Sequence, residues 1–136
     1  MNIIYEVENN LDPSEFIDVL NRSTLGERRP VDDLTRIKKM CENANLIVTA
    51  RLDGKLVGVA RSITDFSYCT YLSDLAVDQE HQKKGIGKIL IEETKKHSPH
   101  AKLILLSAPA AINYYPKIGM KKHDYCFILD DIKELK

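Results

Sequence analysis

Residues 68–107 restrict the architecture more than any other stretch of the chain. Tyr68 to Val77 reads as a strand. A polar loop follows, and Gly85-Ile86-Gly87 opens a helix that runs to His97 and is stopped by Pro99. Lys102 to Ser107 (KLILLS) is then a short apolar run, the pattern of a strand buried between helices. Two strands joined through a helix pair in parallel with a right-handed crossover. Just upstream, Leu46–Leu52 and Lys55–Ile63 are β-rich and meet at Asp53-Gly54, a strong hairpin signal that demands antiparallel pairing. A chain holding both units cannot be a helical bundle or a β-barrel. Its sheet is mixed.

The remaining segments fill in that plan. Ile3 to Val7 is a short opening strand. Asp12-Pro13-Ser14-Glu15 is a helix start, with Asp12 as cap, Pro13 in the first turn and Glu15 able to reach back. Phe16, Val19 and Leu20 form its apolar stripe. Asn21 to Pro30 is a loop, and a second helix spans about Asp32 to Ala44 with Leu34, Ile37, Met40 and Cys41 on one face. Ala110 to Lys117 is a short helix carrying Pro116 inside and Gly119 at its end, and Lys121 to Leu129 returns as strand. The order β-α-α-β-β-β-α-β-α-β predicts an α/β (α+β) fold, a mixed, mostly antiparallel sheet with helices on both faces. No repeat or linker divides residues 1–136, so a single domain is expected.

Composition narrows the function. Lys and Arg number 20 against 20 Asp and Glu, which argues against a nucleic-acid binder held by general phosphate attraction. No apolar run approaches the ~18–20 residues of a membrane span. The opening MNIIYEVENN has no signal-peptide pattern. Cys41, Cys69 and Cys126 are odd in number and lack metal-like spacing, and His81, His97, His100 and His123 are scattered, so neither a disulfide framework nor a metal site is expected. The expectation is a cytoplasmic protein. No G-x-S-x-G elbow is present for a serine hydrolase.

Leu75 to Lys88, LAVDQEHQKKGIGK, carries the chemistry. Free N–H groups at a helix start, glycines that admit close approach, and Lys83, Lys84 and Lys88 make a cradle suited to a pyrophosphate. The alternative is a glycine-rich connection with solvated lysines. A dinucleotide GxGxxG fails because Leu90 stands where the third glycine belongs, and GxxxxGK[ST] is absent. Gln82-Lys83-Lys84-Gly85-Ile86-Gly87 instead resembles the Q/R-x-x-G-x-G/A acetyl-CoA signature of the GNAT superfamily of N-acetyltransferases. Ala111 to Met120, AINYYPKIGM, is similar to that family's A-x-x-F/Y-Y-x-x-x-G-F segment, and with the hairpin before the signature the resemblance covers about residues 46–129. Two departures stand out: Ala108-Pro109 replaces a frequent cofactor-contacting asparagine, and Pro116 follows Tyr115 directly.

The resemblance implies acetyl transfer from acetyl-CoA to an amine by direct attack, without a metal. Leu75, Ala76, Val77, Gln82, Lys83, Lys84, Gly85, Ile86, Gly87 and Lys88 would hold the cofactor. Backbone N–H groups of the strand ending at Val77 could polarise the thioester carbonyl. Tyr115 falls on the family's tyrosine that protonates the departing thiolate, a task suited to a phenol; the alternative is an ordinary buried aromatic. The base is open. Strict alternation puts Tyr71, Ser73, Leu75 and Val77 on one face and Leu72, Asp74 and Ala76 on the other, but a bulge, frequent in this family, would swap faces mid-strand. Asp74 is therefore either base or amine anchor, or an acceptor that locks a neighbouring loop. Ser73 and Tyr71 could instead organise a water.

For the acceptor, Arg29, Asp32, Arg61 and Asp65 combine cations and carboxylates near where the family receives it. They suggest a zwitterionic acceptor, such as an amino acid or short peptide, recognised through Arg29, Arg61 and Ser73. The alternative is a salt-bridged helix cap of Arg29, Asp32 and Asp33. A non-catalytic acyl-CoA sensor and a nucleotide-binding regulator remain competing functions. The resemblance also admits a homodimer, although no apolar interface pattern stands out. The neutral total hides a division, since residues 1–82 hold 9 basic and 14 acidic side chains and residues 83–122 hold 9 and 2. The basic block coincides with the pyrophosphate loop and Tyr115.

Overall fold

The computed structural model describes residues 2–136. They fall into two compact units, the first ending at Leu106 and the second spanning Ser107–Lys136.

The first unit is a five-stranded sheet in the order β1-β2-β3-β4-β5, formed by Ile3–Val7, Leu46–Leu52, Lys55–Thr64, Cys69–Val77 and Lys102–Ile104. The first four strands pair antiparallel, and β4 pairs parallel with β5. The Asp53-Gly54 turn is set by its backbone: φ is 50° at Asp53 and 81° at Gly54, the two positive values that a tight hairpin needs. Helices α1 (Pro13–Ser23) and α2 (Leu34–Asn43) lie between β1 and β2 in the chain, and α3 (Ile86–His97) links β4 to β5. The mixed, mostly antiparallel sheet is as expected from sequence.

Each helix starts where its capping chemistry dictates. The Asp12 carboxylate accepts from the Ser14 amide at 2.9 Å, and Pro13 occupies the first turn. Glu15 does not reach back. It forms a fork with Arg51, with Nη1 to Oε1 at 3.0 Å and Nη2 to Oε2 at 2.8 Å. Helix α2 begins at Leu34 rather than Asp32, because Asp33 is the cap and accepts from the Arg36 amide at 3.1 Å. Leu34 is consequently exposed, and Ile37 and Cys41 form the buried face.

Two apolar cores sandwich the sheet. Phe16, Val19, Leu20, Ile37 and Cys41 pack on Ile47, Leu56, Val59 and Ala76 on one face. Ile86 and Leu90 pack on Val48, Ala50, Val57, Ala60 and Leu72 on the other. Helices therefore cover both faces. A side chain such as Phe16 or Leu20, fully buried, contributes roughly 1.5–3 kcal/mol. Helix α3 approaches β3 at Gly58, where a Cβ would lie 3.1 Å from Leu90 Cδ1 and 3.2 Å from Ile86 Cγ2. Gly58→Val is expected to destabilise by about 1–3 kcal/mol through this overpacking. A lower denaturant midpoint at unchanged slope would register it.

The second unit departs from expectation. It holds a 3-10 turn at Pro109–Ala111, the four-residue helix α4 (Tyr114–Lys117) and a 3-10 turn at Ile132–Glu134. The proposed helix over 110–117 is thus split, as Pro116 and the Pro109 turn leave room for a single turn of α-helix. Residues 121–129 form no strand. Their β-rich composition favours extended backbone, but a strand exists only through a ladder partner. The segment turns at Asp124–Tyr125 instead, where the Tyr125 amide donates to His123 Nδ1 at 3.0 Å. Likewise KLILLS is strand only over Lys102–Ile104.

Candidate active site

The site begins where β4 and β5 part company. Pairing between them covers only Cys69–Tyr71 against Lys102–Ile104, so the remainder of β4 has no strand partner on that side among the described residues. Which backbone groups face this open edge follows from one hydrogen bond. The Asp78 amide donates to Val57 O at 2.8 Å, which makes 57 and 78 a hydrogen-bonded pair. Alternation then turns Ala76 and Asp74 toward β3, and Leu75 and Val77 toward the open edge. Consistently, Val77 O accepts from the Gln82 side chain at 2.9 Å.

The chain leaves β4 through a fastened turn. Asp78 is 2% exposed. Its carboxylate accepts from the Glu80 amide at 2.9 Å and from Arg22 of α1, whose Nη2 also donates to Leu56 O at 2.6 Å. Burial works against ionisation of Asp78, but the Glu80 amide and the Arg22 guanidinium outweigh it and hold the carboxyl below its ordinary value. Sequence reasoning missed this pair. The only signal was an aspartate placed to cap Gln79–His81, and nothing local pointed to an arginine 56 residues away.

Beyond that turn, Lys83 has φ 65° and Gly85 φ 83°, both left-handed. This curl delivers the chain to α3 with Gly85 as cap, no capping side chain and no acid in the first turn. The first helical bond runs from Ile89 N to Gly85 O, so the preceding turn's amides have no intrahelical acceptor. A Cβ on Gly85 would meet nothing within 4 Å, so the space beside that glycine is open. Gln82, Lys83, Lys84 and Lys88 are exposed around it. The Ile86 side chain is buried in the core under α3, so only its backbone belongs to the loop. Ala76, too, is a core residue.

On the opposite side of β4, Arg29, Arg61, Asp74 and Ser73 come together, for a different reason than the one expected. Register shifts between Arg61 and Ser62, with Arg61 opposite Asp74 and Ser62 opposite Leu72, so Ser73 is a bulge. The bulge exchanges faces: Leu72 joins the core under α3, while Asp74 turns to the α1–α2 side. There Asp74 is fully buried, and each carboxylate oxygen meets one guanidinium. Oδ1 accepts from Arg29 Nε and Oδ2 from Arg61 Nε, the latter at 2.5 Å. Arg29 Nη2 also donates to Ser73 O at 2.8 Å, and Arg61 Nη1 to Met40 O at 3.2 Å. Of the two readings of Asp74, this arrangement has the form of the loop-locking acceptor rather than of a base free to meet an amine.

The other acceptor candidates are scattered. Asp32 is exposed and joins no ion pair among the described residues. Asp65 Oδ1 accepts from the amides of Ser67, Tyr68 and Cys69 in the β3–β4 turn. Those amides, Tyr68 first, bring its carboxyl down to about 2. Tyr115 lies in the second unit, where its ring meets Tyr114 edge-on at 5.2 Å. Burial, then Tyr114, raises its phenol above the ordinary value. Its carbonyl accepts from Ile118 and Met120, and Gly119, φ 98°, closes the turn as the sequence suggested.

The site's geometry is an open strand edge running into a left-handed glycine loop and an acid-free helix start. Residues 13–120 match the acetyltransferase (GNAT) family, and the chain belongs to that family. It is 25% identical over 96 residues to an uncharacterized N-acetyltransferase of Pyropia yezoensis, a match that covers 65% of this chain and 55% of that relative. The chain thus spans about half the length of that relative. Among solved structures it resembles a GNAT family acetyltransferase of Streptococcus pneumoniae, with TM-score 0.76 and 16% identity over 96% of this chain and 100% of that one. It also resembles an aminoglycoside acetyltransferase from an uncultured soil metagenomic sample, in complex with sisomicin. That likeness has TM-score 0.69 and 21% identity over 94% and 95% of the two chains. At these identities the structural likenesses establish the fold.

Proposed function

We propose that the protein is an N-acetyltransferase that moves the acetyl group of acetyl-CoA to a primary amine of a small molecule, amino acid or peptide by direct attack. The observation that carries this reading is the unpaired β4 edge at Leu75 and Val77 leading into the Gln82–Gly85 loop. Acetyl-CoA supplies the acyl group as a thioester. The residues present fit it: the space beside Gly85 is open, and no acid stands in the first turn of α3 to repel a pyrophosphate. The Gln82–Lys88 amides would hold the phosphates, with Lys83, Lys84 and Lys88 adding charge.

The Leu75 N–H, aimed at the open edge, donates to the carbonyl oxygen as negative charge builds there. Tyr115 gives its proton to the departing sulfur. With Asp74 engaged by two arginines, the amine loses its proton through water at Ser73 and Tyr71, and not to Asp74 directly. Arg29 and Arg61 are spent on the same carboxylate, so their part in binding an acceptor carboxylate is replaced by an internal one. The remaining acceptor contacts fall to Asp32, Ser73 and the exposed Tyr71.

The test is thiol release from acetyl-CoA in the presence of a panel of amino acids, peptides, polyamines and aminoglycosides. Cys69 and Cys126 are exposed and contribute to the background, whereas burial pushes the Cys41 thiol up to about 11 and keeps it silent. Acetyl-CoA binding with no release for any amine would replace this reading with that of a sensor. Gly85→Val is expected to weaken acetyl-CoA binding about tenfold or more. A β-branched residue resists φ 83° and would project into the open side of the loop. Calorimetric titration would read the loss.

A further inference from the structure

We propose that Arg29 is a positioning residue for acyl transfer, one that fixes the β4 bulge and thereby decides which backbone amides face the open edge. The proposal rests on the acetyltransferase reading above and adds to it a residue that would never touch the donor.

The argument starts from the phase of β4. A strand's side chains and its backbone N–H groups both alternate, so one extra residue reverses both for everything that follows. Ser73 is that extra residue. Without it, Leu75 would turn its amide toward β3, and Asp74 would turn its carboxylate toward the apolar core under α3. With it, Leu75 and Val77 present their amides to the unpaired edge.

The β3–β4 ladder does not hold the bulge by itself, because an unopposed residue has lost its partner there. Arg29 provides what the ladder lacks. Its Nη2 donates to Ser73 O at 2.8 Å and its Nε to Asp74 Oδ1, so one rigid fork holds two successive residues at the point where the register slips. The arginine is itself fixed: its amide donates to Gly26 O at 3.3 Å and its Nη1 to Arg28 O at 2.9 Å. Arg61 cannot replace it, because Arg61 sits on β3 opposite Asp74 and its second contact is Met40 O.

Arg29 is also the member of the group that can be removed cleanly. Its side chain is 21% exposed, against 8% for Arg61, and Asp74 would keep Arg61 after its loss. Two variants test the proposal. Arg29→Lys keeps a cation near Asp74 but cannot also grip Ser73 O, whereas Arg29→Met loses both.

The expectation is that kcat falls about 10- to 100-fold in both variants, while the KM for acetyl-CoA stays within about threefold of wild type. The melting temperature should recover in Arg29→Lys, and kcat should not. Wild-type kcat in Arg29→Met, or kcat that returns together with stability in Arg29→Lys, would overturn the proposal. Amide hydrogen exchange gives a second reading independent of activity. Exchange at Asp74, whose amide faces β3 beside the bulge, should quicken about tenfold or more in Arg29→Met while β2 stays protected; unchanged exchange there would overturn the clamp. A wild type that releases no thiol with any amine counts against the acetyltransferase reading alone, and exchange still decides the clamp.

Discussion

Asp74→Leu is expected to cost about 3–5 kcal/mol of folding stability, because it strips the counter-charge from two arginines. Asp74 is fully buried and accepts from both Arg29 and Arg61, and the Arg61 side chain is itself 8% exposed. Truncating the carboxylate leaves a guanidinium in a dry site with only the Met40 carbonyl to meet it. Domains of this size hold about 5–15 kcal/mol in total, so a large share of the margin goes with one side chain. Urea denaturation measures it. The companion variant, with Arg29→Met and Arg61→Met added, should recover most of the loss, since the damage lies in the orphaned charges. A loss below about 1 kcal/mol for Asp74→Leu alone would mean that the three groups are not coupled as described.

The second large effect is catalytic. Tyr115→Phe is expected to lower kcat about 10²- to 10⁴-fold, the range for removing a general acid, with little change in acetyl-CoA binding. Burial and the neighbouring Tyr114 raise the Tyr115 phenol above its ordinary value. An acid works only while protonated, so activity should persist through neutral pH and fall as pH rises through that raised value. The alkaline limb should vanish in the phenylalanine variant. A variant with wild-type kcat and an unaltered profile would return Tyr115 to the role of an ordinary aromatic.

What could be read from the sequence was whatever local chemistry enforces. Asp53-Gly54 announces its hairpin because few residue pairs accept two successive positive φ values. Asp12-Pro13-Ser14 caps its helix with its own atoms, and Gly85 to His97 declares a glycine-led helix. The loop that would hold the donor was legible for the same reason. A bulge in this strand was implied by the family resemblance, but its place at Ser73 was not legible, since YLSDLAV carries no glycine or break in pattern to mark it. Nor were the partners of Asp74 and Asp78, because Arg29 and Arg22 lie 45 and 56 residues away in the chain. Glu15 illustrates the limit well: its spacing suits a capping box, yet Arg51 from strand β2 takes it. Residues 121–129 fail in the opposite direction, with strand composition and no ladder to join.

The two arginine fasteners have a consequence for how the protein can be altered. Arg22 and Arg29 leave α1 and the turn after it to grip Asp78 and Asp74, so they bracket Leu75–Val77 of the unpaired stretch of β4. The segment that would meet the acceptor and the strand that would meet the donor are therefore not separable parts. Grafting a foreign loop over residues 24–33 to change acceptor choice would also unfasten the strand edge on which the proposed acyl transfer would depend. Such a graft keeps its chemistry only if it brings an arginine to the same place.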